Sequence, residues 1–215
     1  MPPLAEGEEL LSTISLSNRP LIQNEISEVV DAQVEYESKP ENRVVVPEAL
    51  KSVHPVVLRT EKKLRAAKPD ERGICKSRAN ECLDVKVTPD SLERALRIMD
   101  ALVKALDRRG FALCQNSGTN EKLSVEVNGE IIGFTLNERV MRNDHLPNEE
   151  EKKKIKKDRY YQHLLPKYDY VPTGKLSLKF DGWYDGRSTW SDAKIQQLEG
   201  CLNDYYCRLS ESRHT

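Results

Sequence analysis

Residues 82–115, CLDVKVTPDSLERALRIMDALVKALDRRGFALCQ, decide the fold. In CLDVKV, Leu83, Val85 and Val87 alternate with polar neighbours, the period of a half-buried strand. Thr88 is placed to cap a helix, Pro89 suits its first position, and Asp90 suits its positive first turn. Leu92, Ala95, Leu96, Met99, Leu102, Val103 and Leu106 then recur at helical spacing. Glu93–Arg97 and Asp100–Lys104 add i, i+4 pairs. Arg108 and Arg109 before Gly110 form a helix stop with cations at the negative dipole end. FALCQ returns as a strand, so the stretch predicts a β-α-β unit.

Downstream, KLSVEV and EIIGFTLNER alternate on Leu123, Val125 and Val127 and on Ile132, Phe134 and Leu136. Asn128-Gly129 between them favours a type I′ hairpin turn, and Gly133 inside the second strand predicts a bulge or a close approach. NEEEKKKIKKDRYYQHLL reads as a helix capped by Asn148, with Glu149–Lys153 and Glu150–Lys154 pairs; its first three turns hold one apolar residue, Ile155. A helix polar all round is exposed. Pro166 ends it. GKLSLKF predicts a strand on Leu176, Leu178 and Phe180, and DGWYDG a turn. Thr189 to Asp192 matches a capping box, so a last helix is expected, burying Ile195, Leu198, Leu202, Tyr205 or Tyr206, and Leu209.

Upstream, Pro55 opens a helix with Val56, Val57, Leu64 and Ala67 inward, and Pro69 closes it. Val44–Val46 reads as a short extended piece, and Ile22, Ile26, Val29 and Val30 have helical spacing. The order predicts an α+β fold: a mostly antiparallel sheet with a β-hairpin and helices packed on one face. The expected division is an acidic, partly disordered leader over 1–43, a single α+β module over 44–210, and a frayed tail over 211–215.

Charge sharpens that division. The chain of 215 residues is nearly neutral at −1, yet residues 1–50 hold ten acids and three bases. That leaves an acidic leader beside a mildly basic body. No apolar run approaches the roughly 18–20 residues that span a bilayer, and MPPLAEGEELL lacks the basic and apolar regions of a signal peptide. Five cysteines, an odd number without a secretory signal, predict reduced thiols in a cytoplasmic protein. Their spacings fit no zinc site, and Cys114 and Cys201 read as small core residues.

The sequence has no GxxxxGK[ST], GxGxxG, HExxH or GxSxG, and His54, His145, His163 and His214 are scattered. No cofactor and no metal is expected, and His54 reads as a helix-boundary residue. Glu126, Glu130, Glu138, Asp181, Asp185 and Asp192 lie at strand ends, with Lys175 and Lys179 on the strand before Asp181. Gathered on one metal, such acids would make a metal-dependent nuclease; dispersed, they are solvated tips and caps. The stronger signal is basic and aromatic. From Lys152 to Trp190, ten bases stand among four acids, with eight of the thirteen aromatic residues of the chain. Ammonium groups neutralise phosphates and rings stack on bases. Lys152, Lys153, Lys154, Lys156, Lys157, Arg159, Tyr160 and Tyr161 are therefore the candidate nucleic-acid-binding residues, while Phe180 and Trp190 read as core.

The strings HPVVLRTEKKLRAAKPDERG, CLDVKVTPDSLERALRIMDALVKALDRRGF, VEVNGEIIGFTLNERVMR, YDYVPTGKLSLKF and TWSDAKIQQLEGCL together resemble a family of uncharacterised bacterial proteins associated with mobile elements. Its longer members carry an N-terminal helix-turn-helix segment and a proline-rich linker ahead of this module. The resemblance covers about residues 54–210 and brings no catalytic residues with it. No helix-turn-helix precedes residue 54 here, and MPPLAEGEE reads as the end of such a linker. The resemblance implies a regulatory or interaction module of a DNA-associated or mobile-element system that dimerises or binds an effector or a protein partner. The absence of catalytic motifs makes it non-enzymatic, the absence of a long apolar run leaves no membrane contact, and the basic-aromatic stretch offers direct nucleic-acid binding as the alternative.

Overall fold

The computed structural model describes residues 35–36, 39–77, 81–115, 122–127, 130–181 and 187–204. The chain divides into two compact units, Val44–Leu202 and Met1–Arg43 with Asn203–Thr215. In the latter, the described residues form a 3-10 turn over Pro40–Asn42, where the Asn42 side chain donates to the Tyr36 carbonyl at 2.8 Å. The expected helical segment around Ile22–Val30, the Asn128-Gly129 turn, Gly182–Gly186 and Tyr205–Thr215 lie outside the described residues.

The Val44–Leu202 unit is α+β. Its strands are β1 (Cys75–Lys76), β2 (Asp84–Val87), β3 (Ala112–Gln115), β4 (Leu123–Val127), β5 (Glu130–Asp144), β6 (Tyr168–Phe180) and β7 (Thr189–Ser191). Its helices are α1 (Pro55–Ala66), α2 (Leu92–Arg108) and α3 (Glu149–Lys157). The seven strands form one mixed sheet in which only β2 and β5 pair in parallel.

The long strand β5 organises everything. Glu130–Gly133 pairs with β4, Thr135–Asn137 with β2, and Phe134–Asp144 with β6. The β2-α2-β3 unit foreseen in the sequence is therefore split, because β5 and β4 lie between its two strands. Val127 opposes Glu130, the register a two-residue hairpin loop demands.

Period-two alternation sorts the sheet into two faces. Val85, Leu136, Leu178 and Trp190 form a cross-strand row that is entirely buried. Asp84, Thr135, Lys179 and Thr189 form the next row, as do Lys86, Asn137, Ser177 and Ser191, and both are polar. Helix α2 covers the apolar side with Leu96, Ile98, Met99, Leu102 and Leu106, and Phe180 meets Trp190 edge-on at 5.6 Å.

Helix α1 is capped by His54, whose Nδ1 accepts from the Val56 amide at 3.3 Å. Val56, Val57, Thr60 and Leu64 are its buried residues, and the Thr60 hydroxyl accepts from the Leu83 amide at 3.0 Å. Ala67 is the helix's C-cap rather than an inward residue.

Four expectations are corrected. Helix α2 starts at Leu92, a turn later than Thr88 suggested; Thr88 Oγ1 takes the Ser91 amide at 3.4 Å, and the intervening residues form a turn. Thr189–Ser191 is a strand, not a capping box, because Trp190 gains more by burial opposite Leu178 than a helix start would offer. Beyond it the chain turns helical only at Leu198–Cys201, a 3-10 turn that continues as helix over residues 202–204. Leu198 and Leu202 are buried as expected, Ile195 is fully exposed, and the remainder of the expected helix lies outside the described residues. Cys201 is buried, but Cys114 sits half-exposed on β3, which among the described residues pairs only with β4.

Asp192, freed from capping, takes a different part. Arg94 of α2 grips both Asp192 (2.7 and 2.9 Å) and Glu199 (2.8 and 2.7 Å), while Asp192 also accepts from the Leu176 and Leu198 amides. This cluster staples α2 to the C-terminal edge of the unit.

Candidate nucleic-acid interface

Beyond Glu138, β5 and β6 leave the body. From Arg139 to Lys175 no residue is buried, whereas Glu138 and Leu176 at the root both are. These 37 residues form an arm: a two-stranded ribbon from Val140↔Pro172 to Asp144↔Tyr168, then the tip carrying α3 and a 3-10 turn over Arg159–Leu164. Its root is built with care. A bulge between Glu138 and Val140 turns the strand. The Glu138 carboxylate accepts from the Thr88 amide (2.8 Å), the Thr88 hydroxyl (2.7 Å) and the Gly174 amide (3.0 Å). Gly174 sits at φ +68°, a conformation that strains other residues.

The arm holds ten basic and six acidic residues. Helix α3 forms because Asn148 and Glu151 make a complete capping box and Glu149–Glu151 occupy the positive end. In place of the expected Glu149–Lys153 and Glu150–Lys154 pairs, Lys152 reaches Glu149 at i, i+3 and 2.8 Å.

At 100° per residue, Lys152, Lys153, Lys156 and Lys157 share one broad face, and Glu151 and Ile155 lie opposite, where exposure falls. Lys153, Lys156, Lys157 and Arg159 have no carboxylate partner among the described residues. Lys154 points elsewhere, 3.5 Å from the Tyr161 hydroxyl and 5.3 Å from its ring centre. Tyr160 is exposed beside His163, with ring centres 6.0 Å apart. All eight candidate residues thus fall on the tip.

The basic and aromatic stretch from Lys152 to Trp190 divides between the arm and the body. Phe180 and Trp190 are core, and Trp183 and Tyr184 lie outside the described residues. Arg139 and Arg142 were missed; they belong to the ribbon, and the Arg142 guanidinium lies 4.3 Å over the Tyr168 ring. The stretch RVMRND carries no period-two alternation that would have announced them.

The acids proposed for a metal do not gather. Glu138 is consumed at the root of the arm, Glu126 is exposed on β4, and Asp185 lies outside the described residues. No group of three or more His, Cys, Asp or Glu among the described residues is placed to hold an ion.

Asp181 has a neighbour the sequence did not offer. On the polar sheet face, Thr135 Oγ1 lies 2.9 Å from Asp84 Oδ2 and 3.5 Å from Asp181 Oδ2. Gly133 makes the approach possible: a Cβ there would stand 3.1 Å from the Asp181 carboxylate. Lys86, Lys122, Lys179 and Asn137 complete a polar cleft of about 440 Å3. Burial opposes ionisation of Asp84, but Lys86 at 2.8 Å, Lys122 at 3.5 Å and the Thr135 hydroxyl outweigh it and lower its pKa. Lys86 and Lys122 share Asp84, and Lys179 lies 3.9 Å from Asp181, so three ammonium groups face two carboxylates and the surplus is a single positive charge.

Cys75 and Cys114 are poorly placed for thiol chemistry. Burial pushes the Cys75 and Cys114 thiols up, assisted by Asp70 and Glu126 respectively, which keeps them protonated and weakly nucleophilic. His54 donates its backbone amide to Asp100 at 2.8 Å and lies 3.1 Å from Asp107, a helix-boundary role. No helix among the described residues is long and apolar enough to cross a membrane. Compared with family models, curated proteins and solved structures, the chain matches none.

Proposed function

We propose that this chain is a non-enzymatic interaction module that contacts nucleic acid through the arm over residues 139–175. The observation that carries the reading is a 37-residue excursion without a buried residue that ends in a face of four lysines. Such a segment gains little from its own packing, and its surplus positive charge suits a partner with regularly spaced negative charge. Dimensions agree. A nine-residue helix about 13 Å long and a two-stranded ribbon are both elements a major groove admits, with lysines reaching the flanking phosphates.

The test is a salt series with a 20-base-pair duplex. Log affinity falls by roughly 0.9 per phosphate neutralised for each unit of log salt, so a four-lysine face gives a slope near −3 to −4. Replacing Lys152, Lys153, Lys156 and Lys157 with glutamate is expected to remove measurable binding. A variant that binds like the parent overturns the reading.

A metal-dependent nuclease is the second reading, favoured by one observation: Asp84 and Asp181 approach the same Thr135 hydroxyl with Lys86 and Lys179 beside them. Magnesium- or manganese-dependent cleavage lost on Asp84→Asn would establish it. Absence of cleavage with both metals removes it.

A further inference from the structure

We propose that His145 is a protonation-controlled latch that fixes the lysine-bearing tip to the ribbon of the arm. His145 follows the last ladder residue of β5, and its amide donates to the Lys167 carbonyl at 3.1 Å. Its ring lies between two carboxylates from two different elements. Nδ1 is 2.8 Å from Asp169 Oδ1 on β6, and Nε2 is 3.2 Å from Glu151 Oε2 on α3.

This geometry selects one protonation state. A neutral imidazole has one N–H, so one ring nitrogen would present a lone pair to a carboxylate. Only the imidazolium donates on both sides. Asp169 and Glu151 are the charged side chains facing the ring from β6 and α3; Lys167 turns away, its ammonium 5.3 Å from the Tyr168 ring centre. Hydrogen bonding to Asp169 is the main cause that raises the His145 pKa, and Glu151 adds to it. Because the folded value is raised, the contact is complete at low pH and is lost as pH rises through that value.

The latch has no substitute. Among the described residues, His145–Glu151 is the one side-chain hydrogen bond or ion pair joining residues 148–164 to the ribbon. The capping box persists without it, since Glu151 Oε2 also accepts from the Asn148 amide at 2.8 Å. Deprotonation therefore leaves α3 helical and releases its orientation. This bears on the proposed function, on which its consequence for binding rests: a fixed lysine face forfeits less conformational freedom on meeting phosphates than a loose one.

The experiment is an NMR titration of the intact chain from pH 5.5 to 8.5, following the rings of His145 and His163 and the 15N heteronuclear NOE of residues 149–157. The expected result is a His145 midpoint above the ordinary 6.5, with tip NOE values falling through that midpoint while those of the β5–β6 ladder stay level. His145→Gln is expected to give low tip values at every pH. Glu151→Gln, which keeps a capping-box residue, is expected to lower the His145 midpoint. A His145 midpoint at or below 6.5, or tip values unchanged through it, overturns the latch. Duplex affinity at constant ionic strength is then expected to fall several-fold from pH 6 to 8 in the parent and to stay flat in His145→Gln. A titrating latch with no change in parent affinity counts against the arm as the binding element and leaves the latch standing.

Discussion

The body and the arm share two strands and obey different rules. Along β5, Ile132, Phe134, Leu136 and Glu138 are buried; from Arg139 onward nothing is. Along β6 the change comes at Leu176. The body is held by burial: a row of four apolar side chains across the sheet, α2 over it, and the Arg94 staple at its edge. The arm is held by a backbone ladder, a capping box and charges at its surface. Removing side-chain atoms should therefore unsettle the first and leave the second almost unchanged, while charge changes should do the reverse for binding.

The largest effect is expected at Leu102, fully buried in α2. Leu102→Ala should cost about 2–5 kcal/mol in urea unfolding; a loss below about 1 kcal/mol would mean the helix is not seated as described. Arg94→Ala comes next, at about 1–3 kcal/mol, because it leaves Asp192 and Glu199 without their cation.

This pair of acids also sets an acid limit. Burial raises the Asp192 pKa, but Arg94 and the Leu176 and Leu198 amides outweigh it; for Glu199 the Arg94 hydrogen bonds dominate, and both values are lowered. Lowered folded values contribute stability above the unfolded ones and lose it as pH falls. Stability should decline below about pH 4.5 in the parent, and more gently in Arg94→Ala.

Gly133→Ala is expected to cost at most about 1 kcal/mol, since the atoms its Cβ meets belong to the half-exposed Asp181 side chain, which can swing away. The smallest change should be Leu164→Ala on the arm, within about 0.5 kcal/mol despite removing a large apolar group, because Leu164 is 64% exposed. A larger loss there would show that the arm has a core after all.

The same division explains what the sequence revealed. Helix α2 and the β4–β5 hairpin were legible because their apolar periods are local and strong. Gly133 announced a close approach, and only the structure showed that Asp181 makes it. The ribbon was not legible, because NERVMRND pairs with a strand some 25 residues later and neither half has an apolar face to betray the pairing. The start of the last helix was misplaced because Ser191 and Asp192 carry a local cap signature, while Trp190 answers to Leu178 across the sheet and the helical turns begin at Leu198. Of the candidate site, the lysines were readable from composition. The meeting of Asp84 with Asp181, and of His145 with both Asp169 and Glu151, depends on strand pairings that no local pattern encodes.

The central claim is that the arm, and not the body, meets nucleic acid. Its most direct test is a titration of the 15N-labelled chain with a 20-base-pair duplex, following every amide. Shift changes should concentrate between residues 139 and 175 and be largest around Lys152–Arg159. Changes centred on the polar cleft at Asp84, Lys122 and Asp181, or no changes at all, would contradict it.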